Sequence, residues 1–265
     1  MSARVHQGAV IDPSVELGAD VEIGPGCVIG PNVRLHDRVR LLANVFIERN
    51  TEIGAETIVY PFAVLGTPAQ DLSYKDEPTR LVIGARNKIR EHVSMHRGTV
   101  RGKSGGLTKI GDGGYFMTQS HVGHDCTVGD NVIFANTATL GGHAQVGDYV
   151  ILGGLSAVHQ NGRVGRYAFV GGMAAVVTDV IPYGMAHGNH AHLDGLNVIG
   201  MRRRNMSREL IHDIRAAYRL LFAEEGTFSE RLEDVAQVYA NTPQVMEIVD
   251  FIRADAQRPL CMPHA

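Results

Sequence analysis

Residues 9–41 read AVIDPSVELGADVEIGPGCVIGPNVRLHDRVRL, and taken six at a time they place Ile11, Leu17, Ile23, Ile29, Leu35 and Leu41 on one beat. The beat extends back to Val5 and forward through Ile47, Ile53, Val59 and Leu65. Two residues before these positions stand small or β-branched side chains, among them Ala9, Val15, Val21, Cys27, Val33, Thr51 and Ala63. Gly or Asp often follows, as at Asp12, Gly18, Gly24 and Gly30. A register held for about sixty residues is a structural repeat. It returns at Ile83, Ile89 and Met95, breaks, and then runs from Ile110 through Phe116, Val122 and Val128 to Val176.

A six-residue period with one aliphatic and one small position describes a left-handed parallel β-helix of hexapeptide repeats. Three hexads make one triangular coil of about 18 residues, with the aliphatic pointing inward and glycines serving the turns. About 26 hexads give eight to nine coils, a prism roughly 40 Å long at the usual strand spacing. The fold class is therefore mainly β. The beat ends after Val176, near Ile181 and Pro182, and helical spacing takes over. Ser207 is placed to cap a helix bearing Leu210, Ile211, Ile214, Tyr218 and Leu221, closed by Gly226. A second helix is expected from about Ser229 to Tyr239, and Thr242-Pro243 opens a third. Residues 1–189 are thus expected to form the β-helix and residues 190–265 a small C-terminal helical domain. Flat prism faces lead to the expectation of a homotrimer with clefts between subunits.

Composition sets outer bounds. The 31 glycines fit a chain that turns a corner every few residues, and a net charge of −3 speaks against nucleic acid as a partner. No apolar run reads as a membrane span or signal peptide, and three cysteines without paired or metal-like spacing fit a reducing compartment, so a cytoplasmic location is expected. Cys27 and Cys126 fall on the small inward position and read as core filler.

Two stretches interrupt the repeat. Thr67 to Arg80 (TPAQDLSYKDEPTR) is polar, and Arg97 to Leu107 (RGTVRGKSGGL) is rich in glycine and basic residues. Solenoid insertions commonly lie on one face and serve binding. Beside them gather histidines that avoid both inward positions: His96, His121, His124, His143 and His159. His124 lies 18 residues before Gly142, so the two should stack on adjacent coils. A histidine beside a glycine amide suits acyl transfer: the imidazole takes a proton from an attacking hydroxyl, and the N–H steadies the oxyanion. Asp125 adjoins His124, although neighbours on a strand point opposite ways. Clustered imidazoles are equally a zinc pattern, with about three protein ligands and an open position, as in a hexapeptide-helix carbonic anhydrase.

The motifs HRGT (96–99), GGLTKIG (105–111), HVGHDCTVG (121–129), ATLGGH (138–143), AVHQ (157–160) and GNHA (188–191), with QDL (70–72) and EPTR (77–80), resemble the bacterial UDP-N-acetylglucosamine O-acyltransferases across nearly the whole chain. The resemblance implies transfer of a (3R)-hydroxyacyl group from acyl carrier protein to the 3-hydroxyl of UDP-N-acetylglucosamine, the first step of lipid A synthesis, without a metal or cofactor. It implies His124 as general base, Asp125 as its partner and Gly142 as oxyanion donor. Asp71, His96, His121, His143, His159, Gln160, Asn197, Arg203 and Arg204 match positions that hold the nucleotide sugar and acyl group. Gly172 matches the acyl-chain ruler, where a glycine leaves room for a longer chain. The Arg202, Arg203, Arg204 and Arg208 run suits a diphosphate or an acidic carrier protein. Two departures bear on the nucleotide sugar: Ser73 stands where the resemblance leads to lysine, and Ile199 where it leads to glutamate. A 3-amino sugar acceptor, giving an amide, remains open at this point. The related N-acyltransferases carry an additional N-terminal domain, for which a repeat starting near Val5 leaves no room.

Overall fold

The computed structural model describes residues 3–101, 104–255 and 258–264. Two-residue strands separated by two-residue corners wind into a left-handed triangular prism whose three faces are parallel sheets. The first sheet has eleven strands, from Arg4–Val5 to His192–Leu196; the second has nine, Val10–Ile11 to Ala175–Val176; the third has eight, Glu16–Leu17 to Arg163–Val164. Ordinary coils pair residues 18 apart, as Arg40 with Ile58. Ile58 pairs with Lys88 and Lys88 with Tyr115, steps of 30 and 27, so the two insertions leave the coil stack unbroken. Gly102 and Lys103 of the basic stretch lie outside the described residues.

The six-residue beat is the lumen. Ile23, Ile29, Leu35 and Leu41, and on the later coils Phe116, Phe134, Leu152 and Val170, are almost wholly buried, with Cys27 and Cys126 filling small positions among them. Val5 is 46 % exposed because the first coil has a neighbour on one side only. Glycine's part differs from the expectation. Most left-handed corner positions carry Asn, Asp, Tyr or other non-glycine residues, for example Asn32, Asn44 and Asn131. Many glycines stand instead where coils touch: a Cβ on Gly24 would lie 1.6 Å from the Leu42 carbonyl oxygen.

Past Val176 the chain adds a strand, Gly184–His187, to the first sheet and doubles back antiparallel through His192–Leu196, a hairpin that straddles residue 190. Four helices follow: α1 (Val198–Arg203), α2 (Arg208–Leu221), α3 (Phe228–Val238) and α4 (Pro243–Ala254). Ser207 caps α2 as expected, its side chain accepting from the Leu210 amide. Gly226 does not close that helix, which ends at Leu221; it sits in the following turn at φ +71°. Thr227 and Glu230 form a capping box that starts α3. The helices pack on one another through Ile211, Ile214, Leu232, Val235, Ile248 and Ile252. They are tied to the prism by Asp179, which accepts from Arg163 Nε (2.6 Å) and Arg258 Nε (2.9 Å), while the Arg163 guanidinium stacks on Phe251 of α4.

Candidate active site

His124 and Asp125 occupy a corner between the second and third sheets, and Gly142 and His143 the corner one coil further on. The corner resolves the doubt about adjacent side chains. Asp125 is left-handed at φ 61°, which turns its carboxylate back toward His124 instead of across a strand. His124 Nδ1 donates to Asp125 Oδ2 at 2.7 Å, so the ring's other nitrogen, Nε2, carries the lone pair. That nitrogen faces Gly142: a Cβ there would lie 2.5 Å from it. Only glycine fits this position without moving the ring, and the Gly142 N–H has no acceptor among the described residues.

Asp125 is 4 % exposed and fully engaged. The Thr99 amide reaches both its oxygens at 2.9 and 3.0 Å, the Thr99 hydroxyl donates at 2.8 Å, and the Ser104 hydroxyl donates to Oδ1. Burial alone would raise its pKa, but the bonds from His124, Ser104 and Thr99 outweigh burial and hold the carboxyl at about 2. Thr99, Ser104 and Thr108, whose hydroxyl accepts from the Asp125 amide, went unnoticed in sequence. The break in the repeat is the signal that points to Thr99 and Ser104, whereas Thr108 stands at the small inward position before Ile110.

Three more predicted residues join this centre. His143 stands edge-on to His124, ring centroids 5.0 Å apart, with Nε2 3.7 Å from Asp125 Oδ2. His121 bonds Ser94 Oγ at 2.8 Å; burial first, then the nearby His96 and His124, push its pKa down to about 4. His96 lies edge-on to His121 at 5.2 Å, bonds the Pro68 carbonyl at 2.7 Å, and is likewise shifted down, chiefly by burial. Both imidazoles are therefore neutral at pH 7. Asp71, on the first insertion, is pinned by the Ser73 amide (2.7 Å) and hydroxyl (2.8 Å), which lower its pKa, with His124 and Arg101 adding smaller electrostatic shares. The serine at the position where the resemblance leads to lysine thus orients the aspartate.

The other predicted residues are dispersed. His159 and Gln160 are exposed on the next coil of the same edge. Gly172 lies on the edge between the first and second sheets. Asn197 caps α1: its Oδ1 accepts from the Gly200 amide and its Nδ2 donates to the Tyr167 carbonyl, both committed within the chain. Arg204 lies 4.2 Å over the ring of Tyr149, at the edge between the third and first sheets, and Arg203 is exposed. Tyr149, Tyr167 and Tyr183 stack in series there, centroids 4.8 and 5.5 Å apart. Ile199 is 65 % exposed.

Comparisons with known proteins identify the family. Residues 2–37 match the model of bacterial transferase hexapeptide (six repeats), and residues 179–261 match that of Udp N-acetylglucosamine O-acyltransferase, Domain 2. The acyl-[acyl-carrier-protein]–UDP-N-acetylglucosamine O-acyltransferase of Caulobacter vibrioides is 58 % identical, covering 98 % of each chain, and that of Azorhizobium caulinodans 53 %, covering 99 % of this chain and 94 % of its own. Among solved structures, LpxA from Acinetobacter baumannii superposes with a TM-score of 0.92 at 39 % identity, covering 98 % of this chain and 99 % of that one. UDP-N-acetylglucosamine O-acyltransferase from Moraxella catarrhalis gives 0.93 at 40 %, covering 97 % and 99 %. With a buried His–Asp pair under a glycine amide and full-length identity of this order, the chain belongs to the acyl-[acyl-carrier-protein]–UDP-N-acetylglucosamine O-acyltransferase family.

Proposed function

We propose that the chain moves a (3R)-hydroxyacyl group from acyl carrier protein to the 3-hydroxyl of UDP-N-acetylglucosamine, the first step of lipid A biosynthesis. The observation that carries this is the alignment of Asp125, His124 and Gly142, with the His124 Nδ1 proton on Asp125 and Nε2 facing the glycine. The sugar hydroxyl gives its proton to Nε2 as its oxygen attacks the thioester carbon. The carbonyl oxygen gains the charge and accepts from the Gly142 N–H. Collapse re-forms the carbonyl and expels the carrier thiolate, which takes the proton back from the imidazolium. Asp125 stays ionised throughout and stabilises that cation.

His96, His121, His143 and Asp71 line the sugar and acyl side of this centre, with His159 and Gln160 beyond. Asn197, Arg203 and Arg204 serve the nucleotide sugar from another edge of the prism. That dispersion supports a homotrimer, in which the missing edge comes from the next subunit. Residues 1–189 make the prism, whose first sheet also takes the hairpin strand His192–Leu196, and the remainder of residues 190–265 the helical domain. No helix among the described residues is long and apolar enough to cross a membrane, consistent with work on soluble substrates in the cytoplasm.

The test is acyl transfer from carrier proteins bearing (3R)-hydroxyacyl chains of several lengths, with UDP-N-acetylglucosamine and its 3-amino analogue as parallel acceptors. Turnover on the hydroxyl acceptor, lost by about 10²-fold or more in His124→Ala, is expected; turnover confined to the amino sugar, or unaffected by the substitution, would overturn the reading. At Gly172 an added Cβ meets only the Gly154 carbonyl oxygen at 3.3 Å and the Gly154 amide nitrogen at 4.0 Å. Gly172→Met is therefore expected to fit the fold and shift preference toward shorter chains, measured as kcat/KM across the same donors.

A further inference from the structure

His124, Asp125 and His143 each offer one ligand atom, and the three atoms lie within 4.8 Å of one another. We propose that this trio is also a binding site for a divalent transition metal of the Zn²⁺ class, and that occupancy by the metal switches acyl transfer off. The inhibitory part rests on the acyl-transfer function proposed above; the binding part does not.

The donor chemistry is two imidazoles and a carboxylate, a set that suits zinc with a water in the fourth position. Zinc bonds of about 2.0–2.2 Å require ligand atoms somewhat more than 3 Å apart. His143 Nε2 and Asp125 Oδ2, at 3.7 Å, are already close to that separation. The His124 to Asp125 contact of 2.7 Å is shorter because a proton bridges it. Replacing that proton by a metal widens the gap by a few tenths of an ångström. The two rings are at 87° to each other with centroids 5.0 Å apart, so they meet edge to face and do not stack.

The carboxylate is ready for the task. It is ionised, and the Thr99 amide and hydroxyl and the Ser104 hydroxyl hold it in place, the Ser104 bond on Oδ1 and the Thr99 hydroxyl on Oδ2, the kind of outer support that metal-binding carboxylates need. Asp125 and His143 also border an open cavity of about 800 Å³ through which an ion and its water can enter; its lining includes Arg101, Arg163 and Arg258, the last two bonded to Asp179.

The chemistry of inhibition follows from the tautomer. A metal bound to His124 Nδ1 displaces the proton held there. The neutral imidazole then carries its one proton on Nε2, facing Gly142. The proton has moved from one ring nitrogen to the other through solvent, and no electron has been transferred. A protonated Nε2 cannot accept the proton of an attacking hydroxyl. The neutral ring has one free lone pair, and the metal needs it on Nδ1 while catalysis needs it on Nε2.

The metal-free full-length protein titrated with Zn²⁺ by calorimetry, and with Co²⁺ by visible absorption, tests this. One ion per chain is expected, with the intense d–d bands of a low-coordinate Co²⁺ site. His143→Ala and Asp125→Asn should each weaken binding by at least the roughly 100-fold that loss of a mere supporting group brings, whereas His192→Ala should retain it. Acyl transfer should fall along the same Zn²⁺ titration curve and return on addition of EDTA. Absence of binding, or binding unchanged in both variants, would overturn the site. Stoichiometric binding without loss of turnover would overturn the inhibition. A chain that binds the ion but transfers no acyl group under metal-free conditions would count against the proposed function, and the Co²⁺ spectrum would still decide the site.

Discussion

Asp125 is held by more donors than a carboxylate needs for pairing with one histidine. With a folded pKa of about 2 against an ordinary value near 3.9, it stabilises the fold above about pH 4, and that share is lost as pH falls from about 4 to about 2. Thr99→Val removes the hydroxyl donor, and the loss of one hydrogen bond to a charged group is expected to lower stability by about 1.5–3 kcal/mol at pH 7. The gap from wild type should shrink as pH drops through this window, as urea titrations at pH 7 and pH 3 would read. A gap independent of pH would assign Thr99 to packing alone. At this scale the sequence brought His124 and Gly142 together because an 18-residue offset stacks side chains, and it offered Asp125 only as the neighbour of His124. Thr99 and Ser104 escaped notice because they lie in an insertion, where no period fixes what they face.

The strand carrying His121 lies on the second sheet between Ser94 below and Thr139 above, so its outward face forms the floor of the site. Burial, with His96 and His124 nearby, depresses His121 to about 4, so the unfolded chain binds more protons than the folded one between about pH 6.5 and 4. Stability is full above that window and falls as pH is lowered through it. His121→Asn is expected to flatten this part of the stability curve, followed by denaturation midpoints from pH 7 to 4.5; an unchanged slope would place the titration elsewhere. Strands were legible because a large apolar inward position recurs every six residues from Ile23 to Val176 outside the two insertions. Helices were legible where a cap and an apolar stripe coincide, as at Ser207. The six-residue α1 was missed, since so short a helix shows no periodicity and its cap, Asn197, reads as any polar residue. Gly226 was misplaced because a glycine marks a turn without saying which helix end it serves.

Across the whole molecule the predicted residues fall on all three edges of one prism: His124 and Gly142 on one, Gly172 on a second, and Arg204, over the Tyr149 ring, on the third. Gathering them into one site calls for a neighbouring subunit, which is the trimer proposed above. Chains bearing His124→Ala and chains bearing Arg204→Ala, each inactive alone, are expected to regain activity when unfolded, mixed equally and reassembled. With one residue from each of two subunits per site and random mixing, about a quarter of the sites carry both native residues. No recovery in well-formed mixed oligomers would show that both residues act from the same chain. A single sequence fixes the prism but not its neighbours, which is why the distribution of residues, more than the repeat, carries the case for a trimer.

The 30- and 27-residue steps between paired strands have a last consequence. Each coil is complete without its insertion, since the strands on either side stack as though nothing intervened. Most of the two insertions is therefore free of the stack, while Thr99 and Ser104 stay tied to it through Asp125. The remaining insertion residues can drift in number and chemistry, as Ser73 has relative to the resemblance, while the lumen enforces its six-residue rule. The prism corners keep the text of the reaction at His124 and Gly142, and a new acceptor is acquired by revising the insertions around it.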